Sequence, residues 1–323
     1  MTEEQQRREI YDQPCAFKLV YQPEHGINAH VIVRGPDGWH MFYNNCLVPD
    51  LVKKHAVSED LLTWTEQAPI FDNGPDGAAD HAQVGDCTVI EHEGRWHMLY
   101  QARPTRTASR RICLAVSDDL RSWQKVYDGR EPVFTPDPAW SGWHEEAGAR
   151  YCTSPWVIRH DDQFVLYYCC YDASGDDNDN IAVATSRNLV DWEDHGPIIT
   201  VRNLHDPLIG PGGFEVPKIV KRDGKLHLFV LAFHGWVVAT GDDPFHFGPF
   251  TAMGPWHGSN VFEVDDGWCI SHSQVTVGKA GVRGSRRPPW RGLYLAGLIW
   301  ADDHPFVTDL QDVLDGWPDE RSR

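Results

Sequence analysis

Four polar residues occupy matching places in a pattern that recurs along this chain: Asn28, Asp86, Ser154 and Glu215. Each stands a few residues before a short β-branched run, in order Val31-Ile32, Val89-Ile90, Val157-Ile158 and Ile219-Val220. A fifth run, Val261-Phe262, has Gly258 at the corresponding place. Two of the four are carboxylates, a residue type that carries protons in general acid–base catalysis. The amide and the hydroxyl can bind a polar ligand. Polar groups converging on one end of a scaffold form the default site. The plainer alternative is that they satisfy backbone groups where strands begin.

The elements that must hold these residues are hairpins. After each β-branched run comes a turn and then an aromatic-rich strand. The copies include Asp37-Gly38 before Trp39 to Tyr43, Glu93-Gly94 before Trp96 to Tyr100, and Asp161-Asp162 before Phe164 to Tyr168. Asp223-Gly224 precedes Leu226 to Phe229, and Asp266-Gly267 precedes Trp268 to Ile270. Asp-Gly between β-prone runs is a strong hairpin signal. Each hairpin leads to a shared phrase: Ala56-Val57-Ser58 with Leu61 and Trp64, then Ala115-Val116-Ser117 with Leu120 and Trp123. A third copy is Ala184-Thr185-Ser186 with Leu189 and Trp192, and a weaker fourth is Ala239-Thr240-Gly241 with Pro244 and Phe247. The copies begin 59, 69 and 55 residues apart. A period near 60 is too long for helical solenoids and suits a four-stranded propeller blade. The expectation is an all-β fold: a five-bladed β-propeller with four-stranded antiparallel blades around a central axis. Gly292 to Ile299 would complete the fifth blade, and Ala16 to Tyr21 would supply its closing outer strand. The Ala, Leu and Trp of the phrase are packing residues and carry no chemistry.

The second strand of each blade returns to the same mouth, so its loop rims the site. These loops contribute Asn44 and Asn45, Arg103 and Arg106, Tyr171 and Asp172, His234 and His272. His30 and His257 also lie at mouth positions. Two loops are basic in an otherwise acidic protein: Arg103 and Arg106 through Arg110-Arg111, and Arg283 through Arg286-Arg287 to Arg291. Clustered arginines suit carboxylate, sulfate or phosphate. They point to an anionic group on the ligand, with solvated loops or an oligomer contact as the alternative. No tight metal-ligand spacing appears among the 17 histidines. The acidic stretch Asp176 to Asn180 could offer oxygens to calcium, but it lacks the spacing of a calcium loop.

The chain resembles the five-bladed propeller glycoside hydrolases of families 43 and 32, the arabinanases, xylosidases, levansucrases and invertases. The segments that carry the resemblance are His55 to Ser58 with Asp60, Leu61 and Trp64, and Phe214-Glu215-Val216-Pro217. It covers roughly residues 15–300. It implies three carboxylates: an acid on blade four, a base or nucleophile on blade one, and a sugar-holding Asp on blade three. Glu215 matches the acid. Blade three has Ser154 before Pro155, where the Asp belongs, and blade one offers Asn28 or Ala29. Hydrolysis of a glycoside needs two carboxyl groups, and an Asn cannot take up a proton at neutral pH. Asp86 is the other carboxylate of the ring and the candidate partner of Glu215, with Asn28 and Ser154 left to bond sugar hydroxyls. Some members of the superfamily hold calcium on the axis, which His257 or His272 could support through water; no cofactor is otherwise required.

Three functions remain open at this level. One is a glycosidase-like enzyme on a small, sugar-containing, anionic substrate. The second is a sugar-binding or regulatory protein on a degenerate hydrolase scaffold. The third is a lyase, cyclase or isomerase that pairs Glu215 with a histidine such as His30.

Composition narrows the partners. The net charge of −18 disfavours nucleic acid. No apolar run reaches the length of a membrane span. The polar start, Met1 to Arg8, has no apolar leader core, and the eight cysteines lack paired spacing. A cytoplasmic protein with reduced thiols and a small-molecule or oligosaccharide substrate is expected. The expected organisation is an extension over 1–14, the propeller over 15–305 and a tail over 306–323.

Overall fold

The computed structural model describes residues 17–44, 52–145, 152–171, 180–200, 214–232, 235–254, 257–265, 267–274 and 292–314. After β1 (Lys18–Tyr21), the strands fall into blades of four. Blade one holds β2 (Asn28–Gly35), β3 (Gly38–Asn44), β4 (Lys53–Ser58) and β5 (Thr65–Glu66). Blade two holds β6 (Gln83–His92), β7 (Arg95–Arg103), β8 (Arg111–Ser117) and β9 (Trp123–Lys125). Blade three holds β10 (Cys152–His160), β11 (Gln163–Cys170), β12 (Asn180–Ser186) and β13 (Glu193–Ile199). Blade four holds β14 (Glu215–Arg222), β15 (Lys225–Ala232), β16 (Gly235–Gly241) and β17 (Thr251–Gly254). The last contains β18 (His257–Val264), β19 (Gly267–Gln274), β20 (Leu293–Ala301) and β21 (His304–Thr308). The fold is the five-bladed propeller of antiparallel sheets that the repeat predicts.

Blade five closes the ring with two strands from opposite ends of the chain. β1 covers the first half of the β20 edge, pairing Tyr21 with Leu293 and Lys18 with Leu295. β21 covers the second half, pairing Thr308 with Gly297 and His304 with Ala301. An edge left bare would be open to foreign strands, and the two short pieces cover it together. The expected contribution of Ala16 to Tyr21 is therefore half of the outer strand. The propeller also continues past residue 305: Leu310 and Val313 are buried in the core between blades five and one.

The Ser-x-Asp-Leu-x-x-Trp phrase is a self-contained corner between the third and fourth strands. Asp60 Oδ1 accepts the backbone N–H of Leu62 and Thr63 at 2.9 and 2.8 Å, and Ser58 Oγ donates to the same oxygen. Leu61 takes a left-handed backbone (φ 65°), and Trp64 Nε1 donates to its carbonyl at 2.9 Å. Asp119 with Leu120 (φ 60°), and Asn188 with Leu189 (φ 64°), repeat the arrangement. A left-handed leucine is unfavourable in isolation. Here its side chain is sealed between blades, which holds it there. Five apolar clusters fill the five blade interfaces. The described cysteines Cys87, Cys113, Cys152, Cys169, Cys170 and Cys269 are buried free thiols within this packing. No helix among the described residues is long and apolar enough to cross a membrane.

Candidate active site

Every innermost strand is bulged close to its start. The ladder slips between Asn28 and His30, Val84 and Cys87, Thr153 and Trp156, Glu215 and Lys218, and Gly258 and Asn260. Bulges re-aim side chains at the rims of sheets. Three bulged residues carry a left-handed backbone without being glycine: Ala29 (φ 40°), Ser154 (φ 52°) and Val216 (φ 55°). For β-branched Val216 this conformation is a true outlier, of the kind that collects at functional sites. Pro155 and Pro217 lie in the same bulges, where a missing N–H breaks no ladder bond. The ladder also corrects the sequence alignment. Glu215 pairs opposite Leu231, the rung that Thr153 occupies opposite Cys169, so Glu215 shares its place with Thr153 and Ser154 shares its place with Val216.

The bulges of blades one to four open onto one cavity of about 320 Å³. Asn28, His30, Asp86, Ser154 and Glu215 all line it. Its chemistry is set by specific contacts. Ser154 Oγ donates to Asp86 Oδ2 at 2.8 Å. His30 Nε2 meets Ser271 Oγ at 2.8 Å. Gly85, next to Asp86, has no room for a side chain: a Cβ there would lie 2.7 Å from the Gln101 amide, another wall of the cavity. Ser154, expected to bond a sugar hydroxyl, gives its own hydrogen to Asp86 and keeps its oxygen as an acceptor.

The rungs just inside the bulges form a ring of side chains around the axis. They are His30, Cys87, Trp156, Lys218 and Asn260, opposite Tyr43, Tyr100, Tyr167, Phe229 and Ser271. Three of the five hydrogen-bond to a neighbouring blade. Trp156 Nε1 donates to Ile219 O at 2.8 Å, and Asn260 Nδ2 donates to Ile32 O at 3.1 Å. His30 reaches blade five through Ser271. Lys218 meets blade three through a ring face. Its Nζ sits 4.2 Å from the centre of the Trp156 ring, the residue is 4% exposed, and it lines the cavity. Burial pushes the Lys218 ammonium down to about 8, against the attraction of Asp86.

Several expected rim residues have other roles. Asn44 is buried and ties blade one to blade two: its Nδ2 donates to Val84 O at 2.7 Å, and its Oδ1 accepts from Lys53 Nζ at 2.8 Å. Lys53, fully buried, also donates to Gly85 O at 2.6 Å. Arg103 donates to Arg106 O at 2.9 Å within its own loop and is not part of the cavity wall. The basic loop reaches the cavity through Arg110 instead, whose Nε donates to Gln83 Oε1 at 3.4 Å. Arg111 turns the other way, donating to Glu145 Oε1 at 2.8 Å above the Trp143 ring. His272 is fully buried, stacked on Tyr294 at 5.0 Å with the edge of Phe17 at 4.2 Å, so it does not face the mouth. Asn45, Asp172, His234 and residues 283–291 lie outside the described residues, as does the side chain of His257. Among the described residues no group of three or more His, Cys, Asp or Glu is placed to hold a metal. Of the acidic stretch, Asn180 is described: it opens β12, buried, opposite Cys170.

Lys218 and Gln101 were not singled out from sequence. The signal for Lys218 was present, as a lysine in the midst of an apolar axial strand immediately after Pro217. Gln101 carries no such mark.

Fold and cavity together define a class of scaffold, the five-bladed propeller with its site at one end of the axis. No family model and no curated protein matches the chain. Solved structures do match. A thermostable family-43 glycoside hydrolase superposes with a TM-score of 0.66 at 16% identity, covering 87% of this chain and 92% of that one. Sucrose-6-phosphate hydrolase from Lactobacillus gasseri gives 0.65 at 17% identity, covering 95% and 66%. Fructan 1-exohydrolase IIa from Cichorium intybus gives 0.67 at 16%, covering 93% and 62%. The chain thus shares its propeller with glycoside hydrolases of families 43 and 32. At these identities the likeness is one of fold.

Proposed function

We propose that this protein is a glycoside hydrolase-like enzyme acting on a small, sugar-containing substrate. Glu215 serves as general acid and Asp86 as the second carboxylate. The observation that carries this reading is the presence of Asp86 and Glu215 on the walls of one cavity. Glycosidic cleavage needs one carboxyl group to protonate the leaving oxygen and another to act on the opposite face of the sugar. Ser154 occupies Asp86 Oδ2, and Oδ1 has no protein partner among the described residues. That oxygen is the one available for a water or an anomeric carbon. Asn28 and Gln101 supply amides to the same cavity for sugar hydroxyls. Arg110 supports an acidic group on the substrate, and one fold neighbour is a hydrolase of a phosphorylated sugar.

A second reading is favoured by Ser154 itself. A serine where the resemblance implies a carboxylate suits a sugar-binding protein that has lost hydrolysis. A screen of aryl glycosides with wild type, Glu215→Gln and Asp86→Asn separates the two. Turnover that both variants lose supports the enzyme. Equal inactivity of all three, with sugar binding retained in calorimetry, sinks it in favour of the binding protein.

A further inference from the structure

Lys218 is the charged member of the axial ring, and it meets the neighbouring blade through a ring face and not through a hydrogen bond. Among the described residues it makes no hydrogen bond, and no carboxylate lies within ion-pair distance of its ammonium; Asp86 attracts it from farther off without offsetting its burial, and its close contact is the face of Trp156. The other buried lysine shows what a structural role looks like here: Lys53 donates to both Asn44 Oδ1 and Gly85 O. A desolvated cation is unfavourable unless an acceptor or counter-charge meets it. The aromatic face offsets part of that loss but accepts no N–H bond in the ordinary sense. The N–H donors of Lys218 remain for something that enters the cavity it lines.

Its place on the chain fixes where that partner sits. Lys218 and Glu215 lie on the same strand, on either side of one bulge, and both face the cavity. The cavity, at about 320 Å³, is at the small end of ligand sites. A group that reaches Lys218 therefore lies beside the bond that Glu215 serves, and not at a distant end of a long substrate. Arg110 enters the cavity from a different blade, so it is a separate contact.

We propose that Lys218 is a substrate-binding residue that takes an oxyanion, carboxylate or phosphate, carried on the sugar ring next to the scissile bond. The substrate class is then an acidic sugar. This rests on the hydrolase-like reading for the identity of the scissile bond; the anion site itself is tested by binding alone.

The test is calorimetric titration of wild type, Lys218→Met, Lys218→Gln and Arg110→Gln with glucuronate, galacturonate, glucose 1-phosphate, glucose and galactose. Thermal unfolding of each variant confirms its fold. Wild type is expected to prefer an acidic sugar over its neutral parent by on the order of 10- to 100-fold, the size of a buried charge contact. Both Lys218 variants should lose that preference while keeping weak affinity for the neutral sugars. Preference for the uronates identifies a carboxylate, and preference for glucose 1-phosphate identifies a phosphate. Three results overturn the proposal: no acidic sugar preferred, no acidic sugar bound, or a preference that survives in both Lys218 variants and disappears in Arg110→Gln. Acidic sugars bound through Lys218 without any glycoside turnover would leave the anion site standing and remove the hydrolase reading. Turnover of neutral glycosides with no role for Lys218 would do the reverse.

Discussion

Ser154 and Asp86 form one unit: the serine hydroxyl donates to Asp86 Oδ2 at 2.8 Å across the boundary between blades two and three. The serine thus stands where the resemblance to the glycoside hydrolases implies a carboxylate, and it is paired with a carboxylate of another blade. An aspartate at 154 would set two carboxylates against each other at hydrogen-bonding distance, where one of them must stay protonated. Ser154→Asp is therefore expected to abolish turnover and lower stability. Ser154→Ala should lower kcat/KM by about 10-fold, the worth of a positioning hydrogen bond to a charged group. Steady-state kinetics of both variants checks this; a Ser154→Asp enzyme more active than wild type would show that Asp86 is not the working carboxylate.

Glu215 can be tested through the leaving group. A general acid matters most when the departing oxygen is a poor leaving group and little when it is a good one. Glu215→Gln should lose on the order of 10²- to 10⁴-fold on alkyl glycosides but far less on dinitrophenyl glycosides. Asp86→Asn should lose activity on both. Equal losses across leaving groups for Glu215→Gln would assign Glu215 a binding role.

The architecture was legible because its signals are local. Asp-Gly turns, β-branched runs and the Ser-x-Asp-Leu-x-x-Trp corner each make their own contacts within a few residues, as Asp60 and Asp119 do. The site was legible only as far as it follows the strand pattern: Asn28, His30, Asp86, Ser154 and Glu215 share the cavity. The rim residues were less so, because those expected of the loops belong to the ends of β3, β7 and β19, where neighbouring blades and strands offer a side chain several partners. Asn44 turned inward to Lys53, Arg103 to its own loop and His272 into an aromatic sandwich. The meaning of Lys218 lies in its burial against Trp156 of the next blade, a contact that no local pattern encodes.

Blade one contains a buried acid-sensitive element away from the cavity. His40 Nδ1 meets His55 Nε2 at 2.9 Å, and His40 Nε2 meets Asp37 Oδ1 at 2.7 Å, with Arg121 on the far oxygen of Asp37. Burial lowers both imidazoles, His55 to about 3, with His40 and Arg121 adding to the effect there and Asp37 and Asp119 opposing it. A folded pKa below the unfolded one means that the unfolded chain binds more protons once pH falls below about 6.5. Stability is complete above that pH and declines as pH drops toward 3. By pH 4.5 the loss from His55 is on the order of 3 kcal/mol. His55→Phe keeps the stack on Phe42, 4.9 Å away. It should start less stable than wild type, since His40 loses a partner, yet fall less steeply between pH 7 and 4.5 in thermal unfolding. An unchanged slope would place the acid sensitivity elsewhere.

Lys218 makes the opposite prediction at alkaline pH. Its ammonium titrates in the folded protein at about 8, below the ordinary lysine value of 10.5, because burial disfavours the charge more than Asp86 restores it. Between those values the unfolded chain holds a proton that the native protein has released, so stability rises with pH across that window. Below about pH 8 the buried charge destabilises the fold by on the order of 3 kcal/mol. Lys218→Met, which keeps the length of the side chain and drops the charge, is expected to be more stable than wild type at pH 7. The two should converge as pH approaches 10.5, in chemical denaturation run at both ends of the window. A lysine kept for packing would give the reverse: a methionine variant less stable at pH 7, with a gap that does not close. Greater stability combined with loss of acidic-sugar binding would mean that the cation is held at the expense of the fold for a ligand charge, one that Asp86 does not replace.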